Sequence, residues 1–300
     1  MSGTLRGMSH PALSIVVLQW NRHDLTRKCV DSIRDHTSVD HELIIVDNGS
    51  DPDSARYADA AADVCVLLKE NVGFARGMNA GLEVARADTV AFVNNDTEFP
   101  SGWAERMTAL AHTENVGIVA PAVTSAGNAS SVRASPGDRI RNARPFIDLP
   151  SAVVYGMATD FIRRLGGWQT DYPTASSEDL DLLFATWCTG REVIIDDMVL
   201  VDHLGSATAD TLKGKGRLWR QNRQVLVQNW RDMDEDSFRS RYRWDGPVSA
   251  SRLEEARIAA YWMGRFFDAA DAQATQVAPH ADVDESGSAP KRRRFGKRSS

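Results

Sequence analysis

The stretch Val90-Ala-Phe-Val-Asn-Asn-Asp-Thr97 is an apolar run that ends abruptly in two amides and a carboxylate. An apolar run of this length, bounded by polar residues, is typical of a buried strand in a parallel sheet. Ligands of open α/β sheets bind beyond the carboxyl ends of such strands. We therefore expect Asn94, Asn95 and Asp96 to face a ligand, and a carboxylate there suits a divalent cation that carries a phosphate. The alternative is that the two amides only form a turn and Asp96 caps the next helix.

Segments on both sides of this stretch repeat a strand–turn–helix pattern with short loops. The predicted strands are residues 13–20, 42–47, 64–68, 89–93, 116–120, 151–155, 192–196 and 199–201. This alternation is the pattern of βαβ units, which form a parallel sheet with helices on both faces. The sequence therefore predicts an α/β fold with a mostly parallel central sheet flanked by helices.

The chain divides into three predicted parts. They are an α/β domain at 12–208, made of a nucleotide-binding half (12–97) and an acceptor half (98–208), a C-terminal helical extension at 209–275, and a disordered basic tail at 276–300. Residues 121–150 are rich in Ser, Ala, Arg, Gly and Pro and have no clear period. A loop of that length is usually functional, so we expect it to help build the acceptor side.

Composition and charge restrict the partners and the compartment. The formal net charge is −6, which gives no indication of nucleic-acid binding. The three cysteines, Cys29, Cys65 and Cys188, form no C-x-x-C pair and fit a reducing cytosol. No apolar run approaches the ~18 residues that span a bilayer. We therefore expect a cytoplasmic protein.

The C-terminal tail is strongly basic. Residues 279–300 carry six basic and three acidic groups, a net +3, so the rest of the chain carries −6 − 3 = −9. Two interpretations stay open: a solvated end without function, or a segment that binds an anionic membrane surface. The second would place the protein peripherally at the inner face of the cell membrane.

Polar clusters follow several predicted strands or open predicted helices. They are Asp47-Asn48-Gly49-Ser50, Asn71 to Gly77, Asn94 to Asp96, Glu178-Asp179 and His203. Because the carboxyl ends of parallel strands share one edge of a sheet, the first three clusters should meet. Glu178 and Asp179 could instead only favour the N-terminus of their helix, and His203 could be a hydrogen-bonded core histidine.

These clusters, taken together and in this order, resemble a known family. The motifs that carry the resemblance are Ser14-Ile-Val-Val, Ile45-Val-Asp-Asn-Gly-Ser50, Asn71-Val-Gly-Phe-Ala-Arg-Gly-Met-Asn79, Asn94-Asn-Asp-Thr97, Gly166-Gly-Trp168, Ser177-Glu-Asp-Leu-Asp-Leu182 and Asp202-His203. They are similar to family 2 glycosyltransferases of the GT-A fold, and most of all to the bacterial rhamnosyl- and galactofuranosyl-transferase-like group. The resemblance spans about residues 12–208, and its combination of motifs is more specific than any single one.

The resemblance implies a role for each matching position. It implies that Asp47 reads the base of the nucleotide and that Trp20 and Asn21 flank that base. It implies further that Asn71, Gly73 and Arg76 lie along the nucleotide and its diphosphate, and that Asn94 and Asn95 hydrogen-bond a hydroxyl of the ribose or the sugar. Asp96 and His203 would hold Mg²⁺ or Mn²⁺, and Asp179, with Glu178 beside it, would be the catalytic base. Asn94 and Asn95 stand where many members have a further aspartate, which predicts a weaker metal site.

The chemistry of sugar transfer needs the same groups. Charge that grows on a departing diphosphate must be neutralised, which a divalent metal does as a Lewis acid. The acceptor hydroxyl must lose a proton, which a carboxylate accepts as general base. One base opposite the leaving group implies a single displacement with inversion. We therefore expect an inverting, metal-dependent glycosyltransferase that uses a nucleoside diphosphate sugar donor and a cell-surface glycan or lipid-linked glycan acceptor.

Two other functions compete with this prediction. A sugar nucleotidyltransferase would carry a Gly-rich basic loop after the first strand, where this chain has Gln19-Trp-Asn-Arg22. A non-catalytic nucleotide- or glycan-binding module of the same fold would not need Asp96, Asp179 and His203.

Aromatic residues offer candidates for contact with a sugar ring. Trp168 follows a double glycine and is the preferred candidate for stacking on a sugar face. The aromatics of the C-terminal extension are interpreted as helix-packing residues: Trp219, Trp230, Trp262, Phe266 and Phe267.

Overall fold

The computed structural model describes residues 10–125, 131–144, 148–173, 175–205 and 215–277, with side chains at 216–265 in the last range. Part of the predicted loop at 121–150 and the basic tail from 278 onward therefore lie outside the described residues. The chain forms one compact unit up to Gly264, and a second, small unit begins at Arg265. Among the described helices, none has the length and apolar character needed to cross a membrane.

Strands and helices alternate through the first half of the chain. The described elements are β1 (Leu13–Gln19), α1 (His23–His36), β2 (His41–Asn48), α2 (Pro52–Ala61), β3 (Val64–Leu68), α3 (Phe74–Val84), β4 (Thr89–Asn94), β5 (Thr97–Glu98), α4 (Trp103–Ala111), β6 (Val116–Val123), β7 (Ile140–Asn142), β8 (Val154–Ala158), α5 (Thr159–Arg164), α6 (Glu178–Cys188), β9 (Glu192–His203), α7 (Lys215–Arg231), α8 (Glu235–Tyr242) and α9 (Ala250–Val277).

The sheet has the strand order β3-β2-β1-β4-β8-β6-β9-β5, and β7 also pairs with β9. β3, β2, β1 and β4 are parallel, as predicted for the first half. β6 and β9 are also parallel, so most of the paired residues of the sheet lie in parallel strands, as predicted. β8 lies between β4 and β6 and is antiparallel to both, an orientation that a short apolar run does not reveal.

The second half of the sheet also differs from the prediction in its strand count. The two extended segments predicted at 192–196 and 199–201 form the single strand β9. A register shift opposite Pro121 and Ala122 interrupts its pairing with β6. This irregularity explains why the sequence pattern breaks inside one strand.

Two apolar layers cover the faces of the sheet. In β2, Ile44 and Val46 join the layer that contains α3 and α6, whereas Leu43 and Ile45 join the layer that contains α1. Side chains alternate between the faces of a strand, so the next polar residues of β2 also separate: Asp47 follows Ile45, and Asn48 follows Val46. This alternation decides which residue reaches the site described below.

Candidate active site

A cavity of about 860 Å³ lies at the carboxyl ends of β1, β2 and β4. Its lining residues are Leu18, Trp20, Asn48, Glu70, Asn71, Val72, Gly73, Phe74, Arg76, Asn94, Asn95, Asp96, Ser151, Ala152, Val153, Pro173, Ala175, Ser176, Glu178, Asp179, His203, Gly205 and Trp219. A volume of this size is typical of small-molecule and cofactor sites. The structure thus brings together polar clusters that are distant in sequence, as the shared edge of the sheet predicts.

Asn48 fixes the loop that forms one wall of this cavity. Its side-chain amide donates to Asn71 Oδ1 at 3.1 Å and to the Gly73 carbonyl at 3.2 Å, and its Oδ1 accepts from the Val72 amide at 2.9 Å. These three bonds hold Asn71, Val72 and Gly73 against the end of β2. Gly49 permits the close approach, since a Cβ there would lie 2.4 Å from the backbone of Glu70.

The same loop leads directly into α3. Gly73 precedes the first turn of this helix with φ +90°, a backbone conformation that favours glycine. Phe74 and the exposed Arg76, both in the first turn, line the cavity. A helix N-terminus and a guanidinium are complementary to a phosphate group.

Three residues predicted to contact the nucleotide base lie in different positions. Trp20 lines the cavity, whereas Asp47 and Asn21 are not among its lining residues. Asp47 is 2% exposed, and its carboxylate accepts from the Gln19 side chain at 2.8 Å and the Ser50 amide at 3.1 Å. Asp47 therefore holds the turn after β2 together.

Asn48, the neighbour of Asp47, lines the cavity, and the sequence analysis did not single it out. The signal was available in the alternation of β2, because Asn48 continues the face of Ile44 and Val46, which packs with α3. The role of Asp47 in base recognition stays a prediction.

The side chains of Asp96 and His203 lie close together although 106 residues separate them in the sequence. The antiparallel pairing of β5 with β9 sets Thr97 opposite His203 and so brings the preceding Asp96 to the imidazole. Nε2 of His203 lies 3.2 Å from Oδ1 of Asp96, and the two side chains are 7% and 6% exposed.

The tautomer of His203 suits a metal ligand. Its Nδ1 contacts the carbonyl oxygen of Ser125, which can only accept, so Nδ1 carries a hydrogen. Nε2 then faces the Asp96 carboxylate with its lone pair, unless a proton or a cation lies between them. Burial lowers the pKa of His203, but the contacts with Asp96 and with the Ser125 carbonyl raise it, so the net pKa lies above its ordinary value. A divalent cation at Nε2 would compete with a proton for the same lone pair.

Asp96 and His203 suit a divalent cation whose other ligands come from a bound diphosphate or from water. When two atoms each bind one ion at ~2.1 Å and the two bonds form a right angle, the atoms lie about 3 Å apart. The distance between Asp96 Oδ1 and His203 Nε2 is close to this value. Within the described ranges, no cluster of three or more His, Cys, Asp or Glu side chains could hold a metal. The described residues thus offer two side-chain ligands, and diphosphate oxygens or water would supply others.

Of the two neighbouring amides, Asn95 has its side-chain nitrogen bonded to α1. It is 5% exposed, and its amide donates to Thr26 Oγ1 on α1 at 3.0 Å. Asn94 is half-buried, and its backbone carbonyl accepts from Thr97 Oγ1 at 2.8 Å. Both amides line the cavity next to Asp96 without adding charge.

Glu178 and Asp179 line the same cavity from the first turn of α6. The chain enters this helix through Ser176 and Ser177, whose φ angles of 117° and 73° are unusual for non-glycine residues. Ser177 is the N-cap residue, but its side chain makes no capping hydrogen bond. Strain at this position is a feature of functional sites.

The two acids differ in their surroundings. Glu178 is 4% exposed, and burial, followed by the charge of Asp179, raises its pKa to about 8. Burial also raises the pKa of Asp179, but the backbone amides of Leu180, Asp179 and Ser177 oppose this shift. The pair is therefore able to share one proton near neutral pH, with the remaining charge on Asp179.

Asp181 anchors the helix that carries these acids. It is fully buried, accepts from Trp230 Nε1 at 2.6 Å and from the Tyr242 hydroxyl at 2.9 Å, and pairs with Arg241 at 3.4 Å. Trp230 belongs to α7, and Arg241 and Tyr242 are the last two residues of α8. Asp181 therefore joins α6 to these C-terminal helices.

Two tryptophans lie in environments that differ from the sequence predictions. Trp168 is 1% exposed and packs edge-on against Phe74 and Phe92, each at 5.3 Å between ring centroids, so it cannot stack on a sugar and that prediction is wrong. Gly166 turns the chain with φ +82° just before it. Trp219, interpreted as a packing residue, is half-buried and lines the cavity.

A family model described as glycosyl transferase family 2 matches residues 14–162. Residues 14–162 thus belong to glycosyltransferase family 2. The matched residues run from β1 into α5 and include the strand ends that carry Asn48 and Asp96. The narrower rhamnosyl- and galactofuranosyl-transferase-like group stays a prediction.

Curated relatives align with parts of this chain. EpsH and EpsJ of Bacillus subtilis (strain 168), both named as glycosyltransferases, are 34% identical over 111 residues and 30% identical over 113 residues. Each alignment covers 36% of this chain, and they cover 32% and 33% of the relatives. The pre-mycofactocin glycosyltransferase of Mycobacterium tuberculosis (strain ATCC 25618 / H37Rv) is 27% identical over 216 residues, 66% of this chain and 43% of the relative. The chain thus spans less than half the length of these relatives.

Solved structures show the fold. GalNAc-T7 with UDP, GalNAc and Mn²⁺ superposes with a TM-score of 0.58 at 12% identity, covering 77% of this chain and 50% of that one. The mannosyltransferase PcManGT from Pyrobaculum calidifontis, in complex with GDP-Man and Mn²⁺, gives 0.54 at 19% identity, covering 90% and 76%. The GT-A fold that the sequence motifs imply is therefore confirmed.

Proposed function

We propose that this protein is an inverting, divalent-metal-dependent glycosyltransferase that moves a sugar from a nucleoside diphosphate sugar to an acceptor hydroxyl. The observation that carries the proposal is one cavity in which the Asp96–His203 pair and the Glu178–Asp179 pair both stand. The two pairs supply the two functions that glycosyl transfer needs, charge neutralisation and proton removal.

The donor would lie along the ends of β1, β2 and β4. Trp20 and Asn48 would flank the nucleoside, and the Asn71–Gly73 loop and Arg76 would follow the diphosphate. The support for this is the fixed loop geometry set by Asn48 and the N-terminus of α3, which favours a negative charge.

Asp96 and His203 would hold Mn²⁺ or Mg²⁺. The bound ion would neutralise the charge of the diphosphate leaving group. The mixed carboxylate and imidazole set is compatible with both ions and favours Mn²⁺, since imidazole is the softer ligand. Two protein ligands without a further aspartate suit an ion that binds together with the nucleotide.

Asp179 would accept the proton of the acceptor hydroxyl, and Glu178 would stay protonated beside it. The backbone amides around Asp179 favour its charged form, whereas the buried Glu178, with its pKa raised to about 8, favours its neutral form. A neutral Glu178 avoids a second buried charge and leaves one base on the acceptor side. Attack from that side opposite the diphosphate inverts the anomeric carbon.

Thermal unfolding with nucleoside diphosphates and their sugars, with and without Mn²⁺, tests the proposal. A ligand that binds the folded state raises the Tm according to its concentration and affinity. We expect one nucleoside diphosphate to raise the Tm in the presence of Mn²⁺ and much less in EDTA. No shift with any nucleotide, together with no slow hydrolysis of any donor sugar, would favour the non-catalytic binding module instead.

The acceptor is proposed to be a cell-surface glycan or a lipid-linked glycan, reached from the cytoplasmic side of the membrane. The sequence Lys291-Arg-Arg-Arg-Phe-Gly-Lys-Arg298, outside the described residues, carries six basic groups that would attract anionic lipid. Cosedimentation with phosphatidylserine vesicles tests this part, and equal binding to neutral phosphatidylcholine vesicles would contradict it.

A further inference from the structure

Trp219 belongs to the C-terminal helix α7 and yet lines the cavity formed by the sheet and α6. It is half-buried there, and Ser176, Glu178 and Asp179 of the entry to α6 line the same cavity. The contacts of α7 show which of the lining residues lie near its aromatic ring.

A hydrogen bond fixes this part of α7 to the entry of α6. The fully buried Asn222 donates its side-chain amide to the Ser176 carbonyl at 2.7 Å. Residues three apart share a face of a helix, so Asn222 and Trp219 face the same segment. The second anchor is the bond from Trp230 to Asp181 at 2.6 Å. The part of α7 that carries Trp219 is thus fixed to the first turn of α6, where Glu178 and Asp179 stand.

The position next to the base decides which substrate Trp219 meets. A general base must lie ~2.6–3.2 Å from the hydroxyl whose proton it accepts, so the acceptor has to approach Asp179. A cyclic sugar has one face of C–H groups, and a tryptophan offers a large, rigid apolar surface to such a face. A linear alcohol has no ring face and gains little from the same surface.

We propose that Trp219 is the acceptor platform: its indole stacks on the ring of an acceptor sugar and orients a ring hydroxyl toward Asp179. This rests on the proposed function, and it specifies the acceptor as a molecule with a cyclic sugar at its reacting end. Trp219 acts by positioning the acceptor and takes no part in proton transfer.

Competition between a sugar acceptor and water tests the platform. Purified full-length protein with Mn²⁺ and the donor sugar that raises its Tm is given a panel of octyl glycosides, with glycerol as the acyclic comparison. The ratio of glycoside transfer to donor hydrolysis is measured for wild type, Trp219→Ala and Trp219→Phe. We expect Trp219→Ala to lower this ratio by about tenfold, through a higher KM for the glycoside, and Trp219→Phe to restore part of it.

Trp262→Ala is the matched control, because Trp262 is 57% exposed on α9 and does not line the cavity. The platform is overturned if Trp219→Ala keeps the wild-type ratio, if it raises the KM for the donor more than for the glycoside, or if no glycoside competes with water better than glycerol does. These results differ from failure of the proposed function, in which wild type itself hydrolyses and transfers no nucleoside diphosphate sugar.

Discussion

The two walls of the cavity are built on different principles. The wall from β1, β2 and β4 consists of polar residues at strand ends, held by short local bonds such as those of Asn48 to the Asn71–Gly73 loop. The wall from α6 and α7 depends on contacts between distant helices, including the buried Asp181. The strand half of the site therefore follows from strand topology, whereas the half made by α6 and α7 forms only when the C-terminal helices have packed.

The largest expected effect concerns the base in the helical wall. Asp179→Asn removes the acceptor of the proton and should lower kcat for transfer by about 10²–10⁴-fold, while nucleotide binding at the strand wall persists. Discontinuous assays of donor turnover measure kcat, and titration with the nucleoside diphosphate measures its affinity. Asp160→Asn is the control, because Asp160 is an exposed acid in the first turn of α5. Full activity of Asp179→Asn would assign the base elsewhere.

The next effect concerns what holds the helical wall in place. Asp181→Ala leaves Trp230 and Tyr242 without their acceptor and Arg241 without one of its partners, so it should lower the free energy of unfolding by about 3 kcal/mol. Urea unfolding measures this loss. Asp245→Ala is the control, because Asp245 is 79% exposed and pairs with Arg164 on the surface, where solvent screens the interaction. Equal losses in both variants would show that the buried network does not stabilise the helical wall.

A smaller effect belongs to the strand wall. Asp96→Asn keeps the shape of the side chain and removes its charge, so the Mn²⁺-dependent affinity for the nucleoside diphosphate should fall by about 10–100-fold. Calorimetric titration with and without EDTA measures this change. Asp88→Asn serves as control, since Asp88 is exposed next to the opposite end of β4. An affinity that responds neither to EDTA nor to Asp96→Asn would place the metal elsewhere.

The last effect is a change in the slope of the free energy of unfolding against pH. The pKa of Glu178 is about 8 in the folded protein, against 4.5 as its ordinary value, so the folded state binds more protons between these limits. Stability therefore falls as the pH rises through this window, by at most about 1.4 kcal/mol per pH unit for one group. Glu178→Gln should flatten this slope between pH 5 and 8. An unchanged slope in urea unfolding would mean that Glu178 is charged in the folded protein.

Much of the strand wall was predictable from the sequence. Apolar runs marked β1, β2 and β4, and the polar residues after them had to meet because parallel strands end at one edge. The choice between Asp47 and Asn48 was also contained in the alternation of β2. The direction of β8 was not, because an apolar run of five residues fits either orientation.

The sequence by itself determined the α/β alternation, the family motifs and the polar residues that follow the strands. Only the tertiary structure decided that β5 pairs with β9 and joins Asp96 to His203, that Trp168 is buried, and that Trp219 reaches the cavity. The physical reason is the distance along the chain over which the interactions act. Periodicity and turn chemistry act over a few residues, whereas the burial of a tryptophan depends on which distant elements pack around it.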